Sequence, residues 1–407
     1  MEQAWLDELR EFIAIPSVSA DPTHRDDVVR AAEWLADLVK RSGGEAEVAP
    51  FGERELVLGE IPATAGNGSA PTVLVYGHFD VQPPAPLDLW ESPPFELSER
   101  DGWYYGRGIA DDKGQLYTLV KAAQLLAQNA QLPVNIRIAC DGEEEIGGHT
   151  IVDFLEHVRV RTGARDLHSG IYGGSALNAI HALMQTLSAL VAKDGLLADE
   201  LRQGRAHLDG DELHSAEMLP SGDVLLDEAG AAPLDPKAGA EFYIRTWSEP
   251  SLDVNGINGG KPDFVNTTLP VEAQARFTIR LAPGQEVRQM QEAAEKLLRA
   301  AAPAGAELEI TRENAAPPGR MPPDARAIEL GLDAFERALG TRPLLVRAGG
   351  TLPIVPALEE KGIATVVTGF ALPESAVHSP NERMRVEDIG RAVAAAQELY
   401  RSWAELG

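Results

Sequence analysis

The stretch Val73-Leu-Val-Tyr-Gly-His-Phe-Asp80 decides the reading of this 407-residue chain. Its apolar run makes a buried strand, and where the strand ends a histidine and an aspartate sit two apart. Side chains at i and i+2 on a strand share a face. Asp80 can therefore reach the ring of His78 from behind, which is how a metal-ligating imidazole has its tautomer and orientation fixed. A lone His-x-Asp is more often only the polar end of a strand. Three further loops of the same kind shift that balance.

Gly106-Arg-Gly-Ile-Ala-Asp-Asp-Lys-Gly114 packs two carboxylates between glycines just before a helix. Asp111 or Asp112 alone would read as an N-cap, but beside a candidate His ligand a loop carboxylate is what a second divalent ion needs. Asp141-Gly-Glu-Glu-Glu-Ile-Gly-Gly148 gathers adjacent carboxylates that repel one another unless a cation is present; the plainer reading is a solvated acidic turn. Gly369–Glu382 carries His378 in a Pro-containing loop after a strand.

Composition narrows the partners. Lys and Arg number 36 against 63 Asp and Glu, a formal net charge of −27, which repels phosphate backbones and anionic lipid but not metal cations. A single cysteine, Cys140, forms no intramolecular disulfide and fits a reducing compartment. Residues 1–15 lack the basic start and apolar block of a signal peptide; Trp5, Leu6, Leu9, Phe12 and Ile13 instead mark one helix face, stopped by Pro16. The expectation is a soluble, cytoplasmic protein with neither nucleic acid nor membrane as partner.

The first part alternates helix and strand: helices over Asp26–Ser42 and Gly114–Ala130, strands over Thr72–Tyr76 and Val134–Cys140. This predicts an α/β domain with a mostly parallel sheet, its chemistry on loops beyond the carboxyl ends of the strands. The middle predicts strand Val158–Thr162, helix Ala176–Ala192, strands Phe242–Trp247 and Glu272–Ile279, helix Glu286–Ala301 and strand Glu307–Thr311. That βαββαβ order is a ferredoxin-like α+β unit. After a proline-rich connection (Pro317, Pro318, Pro322, Pro323) come helix Ala325–Leu339, strands Leu344–Arg347 and Ala364–Val367, and helix Val386–Leu406. The boundaries expected are 1–157 and 314–407 for a discontinuous α/β domain and 158–313 for the inserted one.

In order along the chain, Gly-His-Phe-Asp-Val-Gln-Pro, Gly-Arg-Gly-Ile-Ala-Asp-Asp-Lys-Gly, Glu-Glu-Ile-Gly, Asp-Leu-His-Ser-Gly and His-Ser-Pro-Asn-Glu resemble the co-catalytic di-zinc metallopeptidases. That family includes carboxypeptidase G, acetylornithine deacetylase and succinyl-diaminopimelate desuccinylase. Gly-His-Phe-Asp-Val-Gln-Pro-Pro and Asp166-Leu-His-Ser-Gly-Ile-Tyr-Gly-Gly174 are most similar to its carnosinase-type dipeptidase branch. The resemblance implies a catalytic domain interrupted by a lid and dimerisation domain, and two divalent ions. Zinc is favoured by the mixed His and carboxylate set, with manganese and cobalt compatible. It implies His78 as a terminal ligand of one metal, Asp111 as the bridging carboxylate, and Glu145 and His378 on the second metal. Asp80 would support His78, and Glu144 would be the general base. His168 would reach the partner subunit's site in a homodimer. Arg347, with Gly349 and Gly350 after it, would hold the substrate's carboxylate, and Asn178 would contact substrate. A cis peptide at Asp111–Asp112 is implied too.

One departure stands out. The family resembled has a further Asp, on a strand after the Glu-Glu helix, as the other terminal ligand of the His78 metal. Here Thr150–His157 reads as that helix and runs straight into Val158-Arg-Val-Arg, so a missing segment is expected near Glu156–Val158. His149, Asp153 and His157 at i, i+4 and i+8 read chiefly as a solvated helix face. The function expected is hydrolysis of a dipeptide, or a related short peptide, bearing a free carboxylate. An N-acyl amino acid deacylase and a catalytically impaired metal-binding protein are the alternatives.

Overall fold

The computed structural model describes residues 3–51, 54–66, 70–146, 154–261, 266–315, 317–319, 325–347 and 354–407. Helix α1 (Gln3–Ile13) buries Leu6, Leu9, Phe12 and Ile13, the face read from its spacing. Helix α2 (Arg25–Arg41) buries Val28, Ala31, Leu35, Leu38 and Val39. It carries Asp26 and Asp27 in its first turn and Lys40 and Arg41 in its last, charges that oppose the helix dipole favourably. Among the described residues no helix is long and apolar enough to cross a membrane.

Two compact units emerge: residues 1–148, 322–344 and 364–407 form one, and 149–321 with 345–363 form the other. In the first, strands β1 (Glu45–Phe51), β2 (Arg54–Ile61), β3 (Thr72–His78) and β4 (Asn135–Asp141) form a sheet in the order β1-β2-β4-β3. β3 and β4 run parallel and are joined through helix α3 (Lys113–Gln128), whereas β1–β2 and β2–β4 are antiparallel. The mostly parallel sheet expected from the sequence is thus a mixed one among the described residues. Only two residues separate β1 from β2, too few for the crossover that a parallel pair needs. Parallel register sets His78 opposite Asp141, so both acid-bearing loops leave the same end of the sheet.

A small antiparallel sheet pairs Trp103–Tyr105 with Ser98–Arg100 on one side and Arg383–Arg385 on the other. It brings the segment after His378 against the 106–112 loop. Helices α6 (Arg326–Leu339) and α7 (Val386–Trp403) close the unit, where Tyr400 donates its hydroxyl to the Leu119 carbonyl. Strands expected at Leu344–Arg347 and Ala364–Val367 are not formed.

The second unit has β5 (Phe154–Arg161), β6 (Ser251–Gly259), β7 (Glu272–Arg280) and β8 (Glu307–Ala315) in the order β8-β5-β7-β6, all antiparallel. Helices α4 (Ala179–Leu187) and α5 (Val287–Ala301) cover one face, packing Leu183, Leu187, Met290, Ala294 and Leu298 with Val158, Val160, Ala273, Ala275 and Phe277. The βαββαβ order holds, with one exchange of parts: Phe242–Ser248 is a helix, and β6 supplies the second strand instead. β5 also overturns the expected helix end. His157 and Val158 pair with Arg276 and Ala275 on one side and with Thr311 and Ile310 on the other, so the strand passes unbroken through the expected junction.

Candidate metal centre

His78 is buried at the end of β3, its Nε2 3.1 Å from Asp111 Oδ1 and 3.8 Å from Glu144 Oε2. Its Nδ1 lies 3.2 Å from the Asp80 carbonyl oxygen and 3.3 Å from Asp80 Oδ1. Asp80 is wholly buried. Its Oδ2 accepts from the Ser19 hydroxyl at 2.6 Å and the Glu145 N–H at 3.0 Å, while Oδ1 has no aligned hydrogen-bond partner among the described residues. A buried oxygen held against Nδ1 fixes the ring, leaving Nε2 as the nitrogen that faces Asp111 and that a metal ion would take.

The Asp111 carboxylate is shared. Its Oδ1 meets His78, and its Oδ2 lies 2.9 Å from His378 Nε2, which is itself 3.1 Å from Glu145 Oε2. The Asp111–Asp112 peptide is cis. The loop reaches the strand end because residue 77 is glycine: a Cβ there would stand 2.6 Å from Asp112 Oδ2, which accepts the His78 N–H. His78, Asp111 and Glu145 each offer a ligand atom within 4.8 Å of the others. Such a set of imidazole and carboxylate donors suits zinc, manganese or cobalt, so the residues fit a divalent ion.

The electrostatics agree. Burial works against a charged His78, but its close contacts with the Asp111 and Asp80 carboxylates prevail and hold its pKa well above the ordinary value. His378 is raised to about 10 by Asp111 and Glu145. Burial acts to raise Asp111, yet the two imidazoles hold it below the usual carboxylate range. Burial lifts Glu144 to about 7, against the pull of His78, and lifts Asp112 to about 7 as well. The acids are gathered tightly enough that two imidazolium charges are stabilised among them. A divalent cation would take the place of those protons.

Two supporting residues escaped the sequence reading although both stand inside the motifs. Gln82 donates its backbone N–H and its side-chain amide to Glu145, fixing a carboxylate whose side chain is only 3% exposed. Glu382 is buried and accepts from Arg107 Nη1 and from the backbone N–H groups of Gly108, Ala110 and Asp111 at 2.7–3.1 Å. It fastens the loop that presents Asp111 to the segment that presents His378. Ser19, which holds Asp80, stands in no motif that would have singled it out.

His78, Asp80, Asp111, Glu144, Glu145 and His378 are therefore brought together in the first unit. The remaining candidates lie in the second. His168 is exposed on a two-residue strand, its Nδ1 accepting from the Gly170 N–H. Asn178 caps α4, accepting from the Ile180 and His181 N–H groups. Arg347 is paired with Glu212. Gly349 and Gly350 lie outside the described residues, as do His149 and Asp153. His157, on β5, bonds Gln274 and so takes no part in a helical ligand row. Among the described residues the carboxylates within 4.0 Å of the His78 ring nitrogens are Asp80, Asp111 and Glu144, and the further aspartate expected by resemblance is not among them.

Residues 74–402 match Peptidase family M20/M25/M40. The chain belongs to that family. It is 24% identical to the cysteinylglycine-S-conjugate dipeptidase of Corynebacterium striatum over 98% of this chain and 95% of that one. It is 26% identical to the Cys-Gly metallodipeptidase of Schizosaccharomyces pombe over 95% and 92%. Among solved structures, an M20 family metallo-carboxypeptidase from Sulfolobus solfataricus superposes with a TM-score of 0.86 over the whole of both chains at 23% identity, a likeness of fold. The Corynebacterium alignment spans 439 positions, more than the 407 residues here, so that M20 relative carries residues opposite gaps in this chain.

Proposed function

We propose that the chain is a metal-dependent dipeptidase, hydrolysing the amide bond of dipeptides or related short peptides that end in a free carboxylate. The observation that carries this reading is the Asp111 carboxylate turned to both imidazoles by separate oxygens, with Glu144 beside it. Family membership and the names of the curated relatives support the substrate class. When bound, divalent ions supply Lewis-acid polarisation and lower the pKa of water toward about 7. Every other part falls to the chain. Glu144, partly solvent-open and pushed toward neutrality by burial, takes the proton of the attacking water and returns it to the leaving amine. Asp80 keeps the His78 ring in register, and Gln82 does the same for Glu145. In this reading the first unit is catalytic and the second is a lid through which two copies pair. His168 steadies the oxyanion in the partner's site, Asn178 and Arg347 grip substrate, and the enzyme is cytoplasmic.

The test is a panel of dipeptides, their C-terminal amides and N-acyl amino acids, run on protein reconstituted with zinc, manganese or cobalt. Dipeptides should be turned over fastest, and a chelator should abolish the activity. Preference for N-acyl amino acids would replace the dipeptidase reading, and no metal-dependent turnover on any substrate would remove it.

A further inference from the structure

Arg347 has no hydrogen-bond donor to spare. A guanidinium carries five N–H groups, and all five are engaged: Nε with Glu212 Oε1 at 2.6 Å, Nη2 with Glu212 Oε2 at 2.8 Å and the His207 carbonyl at 3.3 Å, Nη1 with the carbonyls of Ala206 and Trp247 at 3.3 and 3.5 Å. The three carbonyl contacts are long. The two to Glu212 are short, parallel and charge-assisted, the fork-to-fork arrangement in which Arg binds any carboxylate most strongly. Chemically, that is also what the terminal carboxylate of a peptide would offer.

We propose that Glu212 is a built-in rival of the substrate: an internal carboxylate that occupies Arg347 and must swing away before a peptide's terminal carboxylate can dock. The proposal rests on the reading that Arg347 holds that carboxylate. Glu212 is held in place locally. It is the third residue of the short helix Gly210–Glu217 and completes a capping box, Oε2 accepting from the Asp209 N–H at 2.9 Å while Asp209 accepts from the Glu212 N–H at 2.9 Å. The carboxylate is therefore presented to Arg347 by its own helix turn. The pair is not sealed: the side chains are 11% and 23% exposed, so Glu212 can leave into water rather than into an apolar interior. Exchange replaces one carboxylate with another and leaves the guanidinium neutralised throughout. Apparent affinity for substrate then falls short of intrinsic affinity by the share of molecules in which Glu212 is seated.

Glu212→Gln tests this, because a glutamine keeps an acceptor for the capping box while losing the charge that competes. KM for a dipeptide should drop about threefold to tenfold, the worth of a partly solvated ion pair, with kcat unchanged. KM for the corresponding dipeptide amide, which has no carboxylate to place on Arg347, should stay where it is. Glu212→Asp, too short to reach, should behave like Glu212→Gln. Arg347→Lys checks the underlying reading separately: it should erase the preference for dipeptide over amide. If that preference vanishes in Arg347→Lys but neither Glu212 variant lowers KM, the rivalry is refuted and the carboxylate reading stands. If the preference survives Arg347→Lys, the carboxylate reading fails first. Loss of the fold in both Glu212 variants would make the pair a structural staple and also refute the proposal.

Discussion

Glu144 and Glu145 are neighbours in sequence with opposite surroundings. Glu145 is gripped by Gln82 and faces His378, whereas Glu144 bonds nothing so closely among the described residues and stands 3.8 Å from His78. Glu144→Gln should keep its metal content and lose about 10²- to 10⁴-fold in turnover, the usual contribution of a general base. Glu145→Gln should instead lose affinity for metal, read by elemental analysis after dialysis; equal metal loss in both variants would mean the roles are misassigned. His378 gives a pH signature in chelated protein. Its folded pKa, about 10, lies above the ordinary value, so its pairing with Asp111 and Glu145 stabilises the fold fully below about pH 6.5 and ceases to as pH rises toward 10. The melting temperature of metal-free protein should fall over that window more steeply than that of His378→Ala. Parallel curves for the two proteins would count against the pairing. Glu144 and Glu145 were legible in the sequence because they follow the end of β4, whereas His378 was legible through its motif alone, the strand expected before it not being formed. Ser19 was not, since nothing in its local sequence reports that a buried carboxylate 61 residues away needs its hydroxyl.

Elements were legible wherever one face is buried. Val158-Arg-Val-Arg alternates and forms part of β5, and the 3.6-residue spacing of α1 puts Leu6, Leu9, Phe12 and Ile13 inside as expected. Reading failed where composition argued against context. Phe242–Trp247, rich in aromatic and branched residues, looks like a strand. It is a helix in which i and i+4 spacing packs Tyr243 against Trp247, the rings tilted with centroids 4.7 Å apart, and lets Arg245 pair with Glu241 and Asp235. β6, with its Asn and Gly, is assigned no element from the sequence, but as an edge strand it needs only the ladder that β7 offers. Asn178, proposed at the substrate, also caps α4 through its side-chain oxygen. Asn178→Ala should lower stability by about 0.5–2 kcal/mol, measured by denaturant unfolding. A neutral effect on stability would count against the cap, and an unchanged KM would count against the substrate contact.

At the scale of the whole molecule, the chain clusters into two compact units, and residues 345–363 group with the second. Pairing of two copies is tested by mixing. His168→Ala and Glu144→Gln, each impaired alone, should regain part of the activity when subunits exchange. Exchange without recovery would confine each site to one chain. A last consequence concerns the order of synthesis. Arg107 and Glu382 are 275 residues apart, and Glu382 secures the loop that carries Asp111. A nascent chain leaving the ribosome at about 5–20 residues per second therefore displays His78, Asp111 and Glu145 well before His378 and the clasp behind it exist. If these residues hold metal as proposed, the site would be completed only at the end of synthesis, and a chain released early by a premature stop would lack both His378 and the Glu382 clasp.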